Sequence, residues 1–215
     1  MLKAYQNEEI IEVGIDECAR GCLLGSVFIG AVILPNNIEE LCEDYGIKIK
    51  DSKKMTMEQR EEAYDFIKMV SLDSIVISKD NQEIDEKNIL KTTLNGMHEA
   101  IRNLSIKPEK ILVDGDKFPI YRDEYGELIE HECVVSGDNT YMSIAAASII
   151  AKVEHDRYIV KLVNDNPYLE KYDILNNMAY GTEKHINAIK EYGITKFHRK
   201  TFGICKNYDV NFTDL

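Results

Sequence analysis

The stretch GIDECARG, residues 14–21, decides how the rest of the sequence is interpreted. It includes the end of a predicted strand, EVGIDE, and it places two carboxylates side by side, Asp16 and Glu17. Successive side chains of a regular strand point to opposite faces, so both acids reach one site only if the strand stops there. We therefore expect a turn at residues 19–21 that brings Arg20 and backbone N–H groups close to the carboxylates.

The composition is that of a globular protein. The 215 residues are enough for one sizeable domain, and 44% hydrophobic with 30% charged residues excludes a largely disordered chain. The N-terminus lacks the order of a signal peptide, and the longest apolar run, LLGSVFIGAVIL, is shorter than the roughly 20 residues of a membrane helix. We expect a soluble, cytoplasmic protein without membrane association.

The number and spacing of the cysteines argue against both disulfide bonds and a zinc site. The five cysteines are odd in number, scattered, and without C-x-x-C spacing, which excludes a disulfide framework and a zinc site. We expect reduced thiols that pack in the interior.

Charge is distributed unevenly along the chain. A formal net charge of -12 argues against a nucleic-acid partner, because binding to phosphates depends on Lys and Arg. However, residues 48–54 carry +3 and residues 179–206 carry +4, which leaves -19 for the remainder. Two basic segments in an acidic chain would suit one electropositive face, with an ordinary solvated surface as the alternative.

Hydrophobic periodicity predicts an α/β fold. Strands are predicted at EVGIDE, VFIGAVIL, SIVISK, EKILVDG and HECVVSGD, and helices at residues 38–46, 56–70, 83–103, 143–163 and from residue 181 onward. Thr56 and Gln59 form a capping-box pattern at the start of the second helix. This order predicts a mixed five-stranded sheet flanked by helices, in which strands joined by helical crossovers are parallel.

Three of the predicted strands end in acidic residues, namely Asp16 with Glu17, Asp114 and Asp138. One acid at a strand end is more often a turn former or a helix cap. If the three strands are neighbours, the four carboxylates repel one another and require a cation. Ligands that are all oxygens favour Mg²⁺ or Mn²⁺ over zinc, and two such ions activate a water and stabilise the leaving oxygen in many nucleases.

Seven motifs, in register along nearly the whole chain, resemble the ribonuclease HII family, the type 2 ribonucleases H. They are GIDECARG, DSKKM at 51–55, EID at 83–85 with NI at 88–89, ILVDG at 111–115, GD at 137–138 followed by SIAAAS-x-x-AKV at 143–153, YGT-x-x-H at 180–185 and HRKTF at 198–202. The resemblance implies a ribonuclease H-like fold. It divides the chain into a catalytic core, residues 1–165, and a C-terminal helical extension, residues 166–215, packed on that core as one structural domain.

The resemblance also implies an activity and its cofactors. The enzyme would hydrolyse the RNA strand of RNA/DNA hybrids and nick duplex DNA on the 5′ side of single ribonucleotides, leaving 3′-hydroxyl and 5′-phosphate ends. It would act as a monomer in DNA replication and ribonucleotide excision repair, with two Mg²⁺ or Mn²⁺ ions. Asp16 would bridge both ions, with Asp138 on the nucleophile side and Glu17 and Asp114 on the leaving-group side.

Substrate contacts follow from the same resemblance. The turn of Ala19, Arg20 and Gly21 would recognise the ribose 2′-hydroxyl through backbone groups, and Tyr180 would stack on the sugar. The remaining implied contacts are Ser52, Lys53 and Lys54 along the nucleic-acid path, and Lys196, Arg199 and Lys200, which would contact phosphates or form a solvated surface.

The chain departs from the family pattern at three places. Ala19 replaces the first glycine of the turn, Gly21-Cys22 replaces Gly-Pro, and Ala179 replaces the glycine before Tyr180. If position 19 requires φ > 0, alanine costs about 1 kcal/mol there. Such a cost affects ribose discrimination before it affects catalysis.

Two alternatives compete with this interpretation. Ribonuclease HIII has an additional N-terminal substrate-binding domain, which we do not expect because the first motif begins at residue 14. A non-catalytic hybrid-binding protein with the same fold would gain nothing from four repelling carboxylates. Outside the motif acids, His155 with Asp156 could suggest a base and its orienting acid, but Asp156 with Arg157 is interpreted as an ordinary charged helix face. His185 is interpreted as a structural hydrogen-bonding residue.

Overall fold

The computed structural model describes residues 2–210 as an α/β protein. The strands are β1 (Glu12–Cys18), β2 (Val27–Ile33), β3 (Asp73–Lys79), β4 (Lys110–Asp114), β5 (Tyr121–Arg122) and β6 (Leu128–Val134). The α-helices are α1 (Ile38–Asp44), α2 (Met57–Val70), α3 (Asn81–Lys87), α4 (Ile89–Asn103), α5 (Met142–Asp165), α6 (Ile174–Asn177) and α7 (Glu183–Tyr192). Short 3₁₀ helices cover Ser52–Lys54, Gly137–Asn139, Pro167–Tyr172 and Gly203–Asn207. Within residues 2–210, no helix is both long enough and apolar enough to span a membrane.

The six strands form one mixed sheet in the order β3-β2-β1-β4-β6-β5. β4 is parallel to both β1 and β6, whereas β2 is antiparallel to β1 and β5 is antiparallel to β6. The predicted mixed α/β fold is therefore confirmed, but the predicted number of five strands is too low. The additional strand is β5, which forms because a turn at residues 123–126 folds Tyr121 and Arg122 back onto β6.

The chain forms two compact units, each assembled from three segments. The first unit combines the chain up to Cys18 with Phe28–Ile77 and Leu94–Val153. The second unit combines Ala19–Val27, Ser78–Thr93 and the chain from Glu154 onward. The sequence predicted a different division, into a continuous core of residues 1–165 and an extension of residues 166–215. That division remains a prediction.

In the first unit, α5 packs unusually close to β1 and β2. A Cβ atom at Gly14 would lie 2.2 Å from the backbone carbonyl carbon of Ser143, and one at Gly30 would lie 2.3 Å from the carbonyl oxygen of Ala147. The alanines 145–147 are fully buried. The small residues of the SIAAAS motif therefore serve close packing, which is possible because both strands present glycine to the helix.

The predicted start of α2 is confirmed. Thr56 Oγ1 accepts a hydrogen bond from the backbone N–H of Gln59, and Gln59 Oε1 accepts one from the backbone N–H of Thr56, both at 3.2 Å. This capping box satisfies N–H groups that have no partner inside the helix. Phe66 and Ile67 of the same helix are buried in the core of the first unit.

The single helix predicted over residues 83–103 is wrong, because two helices occupy this region. Asn88 separates α3 from α4 with a left-handed φ of 68°. The Asn88 side chain accepts a hydrogen bond from Lys91 N at 3.1 Å, which satisfies a backbone donor at the start of α4. Asn88 therefore ends one helix and caps the next.

Candidate active site

Parallel pairing brings two of the predicted acids to the same level of the sheet. Ile15 of β1 lies opposite Val113 of β4. The next residues along the two strands are Asp16 and Asp114, so their side chains emerge as neighbours on one face. Asp16 is 4% exposed and thus buried.

β1 does not stop at the two acids, as the sequence analysis expected. Glu17 pairs with Ile29 and Cys18 pairs with Phe28, so the regular strand continues beyond Asp16. Ideal alternation along a strand would direct Glu17 to the face opposite that of Asp16, but the charge of Glu17 still raises the pKa of Asp16. The structure thus brings Asp16 to Asp114 by strand pairing, whereas Glu17 is brought to Asp16 only by their adjacency in the chain.

Asp138 lies in a 3₁₀ helix after β6, and the prediction that it ends a strand is wrong. Ser136, with a left-handed φ of 56°, turns the chain away from β6. The backbone N–H of Gly137 then donates to Asp114 Oδ1 at 2.6 Å. This bond fixes the turn that carries Asp138 beside the end of β4.

Negative charge in this cluster is not fully compensated. Burial, followed by the charges of Glu17 and Asp114, raises the pKa of Asp16 well above its usual range. Burial, together with the charge of Asp138, also raises the pKa of Asp114 despite the hydrogen bond from Gly137. Both shifts have the direction expected for carboxyl groups that are desolvated next to like charges.

Lys53 supplies positive charge to the cluster. Its Nζ lies 3.5 Å from Asp138 Oδ2. Partial desolvation opposes the charged form, but the carboxylates of Asp138, Asp16 and Asp51 outweigh it and raise the pKa of Lys53. The Lys53 side chain is 79% exposed, so this ion pair contributes little to folding stability.

The DSKKM motif forms a compact network around Asp51. The Asp51 carboxylate accepts a hydrogen bond from Lys53 N at 2.9 Å and lies 3.3 Å from Lys54 Nζ. Lys54 Nζ also donates to Asn139 Oδ1 at 2.7 Å. The network joins this motif to the turn that contains Asp138.

Ser52, which we expected along the nucleic-acid path, is buried instead. Its Oγ lies 3.0 Å from Ser148 Oγ of α5, and Ser148 in turn is hydrogen-bonded to the Asp16 carboxylate. Lys53 and Lys54 of the same motif have exposed side chains. The motif therefore divides into a buried hydroxyl that supports Asp16 and two exposed ammonium groups.

Three residues of this cluster are not predicted from the sequence, namely Asp51, Asn139 and Ser148. Asp51 had a local signal, since an acid before a short helix is a typical N-cap. Ser148 was visible only as the last residue of a small-residue run, and no local pattern indicated that Asn139 contacts Asp51 across the chain.

The donor set suits a hard divalent cation, since it consists of carboxylates that repel one another. Among residues 2–210, however, no group of three or more His, Cys, Asp or Glu side chains is arranged so that it could already hold a metal ion. Asp16, Asp114 and Asp138 each accept a hydrogen bond from the protein. These hydrogen bonds help to fix the orientation of the three carboxylates.

In the second unit, the Ala19–Gly21 turn has the strained conformation that the sequence analysis considered. Ala19 has a φ of 71° and is buried, while Arg20 and Gly21 are exposed. The carbonyl oxygen of Ala19 accepts a hydrogen bond from Cys22 N at 3.3 Å. The turn thus forms with alanine at a left-handed position.

A second left-handed alanine lies next to Tyr180. Ala179 has a φ of 67°, and its carbonyl oxygen accepts a hydrogen bond from Leu23 N at 2.9 Å. A Cβ atom at Gly21 would lie 3.9 Å from the Tyr180 ring. The predicted substrate residues of this unit are therefore adjacent, and Tyr180 is 40% exposed.

Arg199 is a structural residue of this unit and does not form part of an exposed basic surface. It is fully buried, and its guanidinium donates to the carbonyl oxygens of Arg20, Gly25 and Ser26 at 2.9, 2.9 and 3.0 Å. Burial lowers the pKa of Arg199. These bonds hold the loop that includes the Ala19–Gly21 turn.

Two other motifs of the second unit bind each other. Asp85 of the EID motif accepts hydrogen bonds from the backbone N–H groups of Lys200 and Thr201, both at 2.9 Å. Asn81 donates to the carbonyl oxygens of Lys196 and His198. The EID and HRKTF motifs are therefore structural partners.

The interpretation of Asp156 and Arg157 as a charged helix face is wrong for Asp156, which is buried, whereas Arg157 is exposed. His155 is fully buried, with its Nδ1 3.0 Å from Asp156 Oδ1 and its Nε2 4.0 Å from Cys22 Sγ. His155 thus contacts Cys22, the residue that follows the Ala19–Gly21 turn in the sequence.

Comparison with known proteins agrees with the motifs and the fold. The model of the family described as ribonuclease HII matches residues 13–205. The chain belongs to the ribonuclease HII family. A ribonuclease HII of Bacteroides thetaiotaomicron is 40% identical over 98% of this chain and 98% of its own length. The chain is accordingly a ribonuclease H enzyme, and the resemblance drawn from the seven motifs is confirmed.

Solved structures support the ribonuclease H-like fold. The ribonuclease H2 from Pyrococcus horikoshii OT3 has a TM-score of 0.72 and 30% identity, covering 91% of this chain and 95% of that one. The RNase HIII called Bst-RNase HIII, in complex with Mn²⁺, has a TM-score of 0.67 and 16% identity, covering 92% of this chain and 68% of that one. At that identity, the second likeness shows the fold alone.

Proposed function

We propose that this ribonuclease H is an endonuclease that hydrolyses the RNA strand of RNA/DNA hybrids and nicks duplex DNA on the 5′ side of single ribonucleotides. The products would carry 3′-hydroxyl and 5′-phosphate ends. The observation that carries this proposal is the buried Asp16 beside Asp114, with Asp138 fixed next to them. A monomer acting in the cytoplasm, in DNA replication and in ribonucleotide excision repair, is part of the proposal.

Asp16, Glu17, Asp114 and Asp138 are the proposed ligands of two Mg²⁺ or Mn²⁺ ions. When bound, such ions lower the pKa of a water molecule and stabilise negative charge on a leaving oxygen. The raised pKa values of Asp16 and Asp114 support this assignment, because a cation would relieve the repulsion that raises them. The Mn²⁺ complex of the distant RNase HIII is consistent with it.

Roles within the ligand set remain those that the resemblance implies. Asp16 is proposed as the shared ligand, with Asp138 on the nucleophile side and Glu17 and Asp114 on the leaving-group side. Ser148 and Ser52 would hold the Asp16 carboxylate in one orientation through their hydroxyl chain. Their contribution is positioning, since neither hydroxyl is exposed to a substrate.

Exposed ammonium groups of the DSKKM motif are proposed to bind the nucleic-acid backbone. Lys53 and Lys54 both reach solvent, and a phosphate would replace the contact that Lys53 makes with Asp138. Contacts of this kind provide affinity without sequence preference.

The turn of Ala19, Arg20 and Gly21, with Tyr180, is proposed to recognise the ribose. Arg20 and Gly21 are exposed, and the half-exposed Tyr180 ring lies next to Gly21, so a 2′-hydroxyl that binds this turn would also meet the ring. Discrimination through the 2′-hydroxyl separates RNA from DNA at one position.

A nicking assay tests the proposal. A DNA duplex with one embedded ribonucleotide, labelled at the 5′ end, is incubated with Mg²⁺ or Mn²⁺. The wild type should nick on the 5′ side of that residue, and Asp138→Asn should abolish nicking while duplex binding and thermal unfolding are retained. Asp116→Asn, an exposed acid after β4, is the matched control and should cut normally. Binding without nicking in either metal would instead indicate a non-catalytic hybrid-binding protein.

A further inference from the structure

Two buried histidines of the second unit contact each other directly. His185 of α7 and His198 are both fully buried, and their Nε2 atoms are 3.1 Å apart. Both rings pack edge-on against Tyr172, with centroids 6.1 and 5.1 Å away. Neither histidine has a part in the function proposed above.

The outer nitrogens of the pair determine where its protons lie. His198 Nδ1 is 3.0 Å from Thr195 N, a group that can only donate, and 2.9 Å from Thr195 Oγ1, a hydroxyl that can also donate, so this nitrogen accepts. His185 Nδ1 is 3.0 Å from the carbonyl oxygen of Tyr180, which can only accept, so this nitrogen donates. Two neutral rings satisfy both ends only if His198 Nε2–H donates to His185 Nε2.

The relay therefore runs in one direction, from Thr195 N–H through His198 and His185 to the Tyr180 carbonyl. Burial lowers the pKa of both rings, which keeps them neutral as the relay requires. If both Nε2 atoms carried protons, two N–H groups would face each other across 3.1 Å.

The backbone at the end of the relay is strained. Met178 and Ala179, the two residues before Tyr180, both have left-handed φ values, 46° and 67°. Conformations of this kind persist only where surrounding contacts enforce them. The Tyr180 carbonyl accepts from Thr182 N at 2.9 Å as well as from His185. The histidine bond thus adds a side-chain contact from α7 to this carbonyl group.

We propose that His185 and His198 are positioning residues for Tyr180: their relay fixes the Tyr180 peptide and thereby the tyrosine ring beside Gly21. The proposal rests on the proposed function only in that Tyr180 contacts the sugar of the substrate. Neither histidine touches substrate. Their effect belongs to substrate affinity at the ribose and not to the chemical step at the carboxylates.

The first test needs no activity. The chain contains five histidines, so long-range ¹H–¹⁵N spectra of the ¹⁵N-labelled protein resolve each ring, with His185→Asn and His198→Asn assigning the two signals. At pH 7, His198 should carry its proton on Nε2 and His185 on Nδ1. Reversed tautomers, or a charged ring at either position, would overturn the relay.

The second test compares two variants that differ in one hydrogen bond. In His185→Asn the amide nitrogen occupies the place of Nδ1 and can still donate to Tyr180, whereas in His185→Gln the polar group lies at the place of Nε2 and contacts only His198. Both variants lose one bond of the relay, so their thermal unfolding should change similarly. The KM for a duplex with one ribonucleotide should rise about fivefold in His185→Gln and much less in His185→Asn, with kcat retained in both.

Equal KM values in the two folded variants would contradict the positioning role. Tyr180→Ala separates this failure from a failure of the proposed function. If Tyr180→Ala leaves KM unchanged, Tyr180 does not bind the substrate. The predicted effect of the histidines on KM is then also contradicted, because it depends on the contact between Tyr180 and the substrate. The tautomer measurement still decides whether the relay exists, including the case in which a variant does not fold.

Discussion

Ala19 is the residue at which the family pattern and this structure differ most instructively. Its φ of 71° is one that glycine adopts without steric cost, so the alanine stands at a position of the kind that favours glycine. The departure is therefore a matter of strain at one residue. We therefore expect the alanine to affect stability more than ribose specificity.

Restoring glycine at this position should relieve strain without changing specificity. We expect Ala19→Gly to raise the free energy of unfolding by up to about 1 kcal/mol, measured in urea. The ratio of cleavage at one embedded ribonucleotide to cleavage of a long hybrid should stay within about twofold of wild type. Ala100→Gly, in a buried helical position, is the control and should destabilise by about 1 kcal/mol or more. A changed cleavage ratio in Ala19→Gly would mean that the alanine has shifted the turn.

Ser148 offers a second test at the scale of one residue. Its hydroxyl bonds the Asp16 carboxylate and favours the charged form. We expect Ser148→Ala to raise the Kd for Mn²⁺ about fivefold by calorimetry, because one hydrogen bond to the proposed ligand is lost. Ser143→Ala is the matched control, since Ser143 Oγ is buried on the same helix and has no hydrogen-bond partner within residues 2–210. Similar affinities in the two variants would remove Ser148 from the metal site.

Local sequence patterns located most residues of the candidate site but not their surroundings. The acids and the left-handed alanine could be identified from motifs and residue types alone. The burial of Arg199 could not, because a cation in a basic segment resembles solvated surface until its carbonyl partners are known. Ser148 was missed for a similar reason, since a hydroxyl bond to a distant strand has no local signal.

At the scale of elements, the sequence predicted the helix start that depends on two nearby side chains. It did not predict the breaks that depend on the φ angle of a single residue. The capping box of α2 formed as predicted. The break at Asn88 and the turn at Ser136 were not predicted, because the apolar spacing on either side is unaffected by one left-handed residue. β5 was missed because two residues are too short for any alternation pattern.

Removal of the α2 capping box measures its contribution. Thr56→Ala loses the side-chain acceptor for Gln59 N, and we expect the free energy of unfolding to fall by about 1 kcal/mol. Thr56→Ser keeps the hydroxyl and should remain within about 0.5 kcal/mol of wild type. Equal losses in the two variants would assign the effect to the lost methyl group instead of the hydrogen bond.

At the scale of the whole molecule, the buried histidine pair makes stability depend on pH. Burial lowers the pKa of His198 to about 3, whereas the unfolded chain titrates near its ordinary value of 6.5. Between these values the unfolded state binds more protons, so His198 contributes stability above pH 6.5 and this contribution falls as pH drops toward 3. The slope approaches about 1.4 kcal/mol per pH unit.

Comparison with a variant isolates this contribution from those of other groups. Asp16, whose pKa is raised by burial and by Glu17, acts in the opposite sense, because its folded form binds the proton more readily. Denaturant unfolding of the wild type and of His198→Gln, from pH 7 to pH 4 without divalent ions, should give a steeper loss in the wild type. Parallel pH profiles would show that His198 titrates normally in the folded protein.

The hydrogen bonds of Arg199 also determine the order in which the molecule can be completed during synthesis. Its carbonyl partners at Arg20, Gly25 and Ser26 lie 173–179 residues earlier in the chain. The carboxylates at positions 16, 114 and 138 have all been made before the ribosome reaches Arg199. A growing chain therefore possesses every acid of the candidate metal site while its candidate ribose-recognition turn still lacks the residue that braces it.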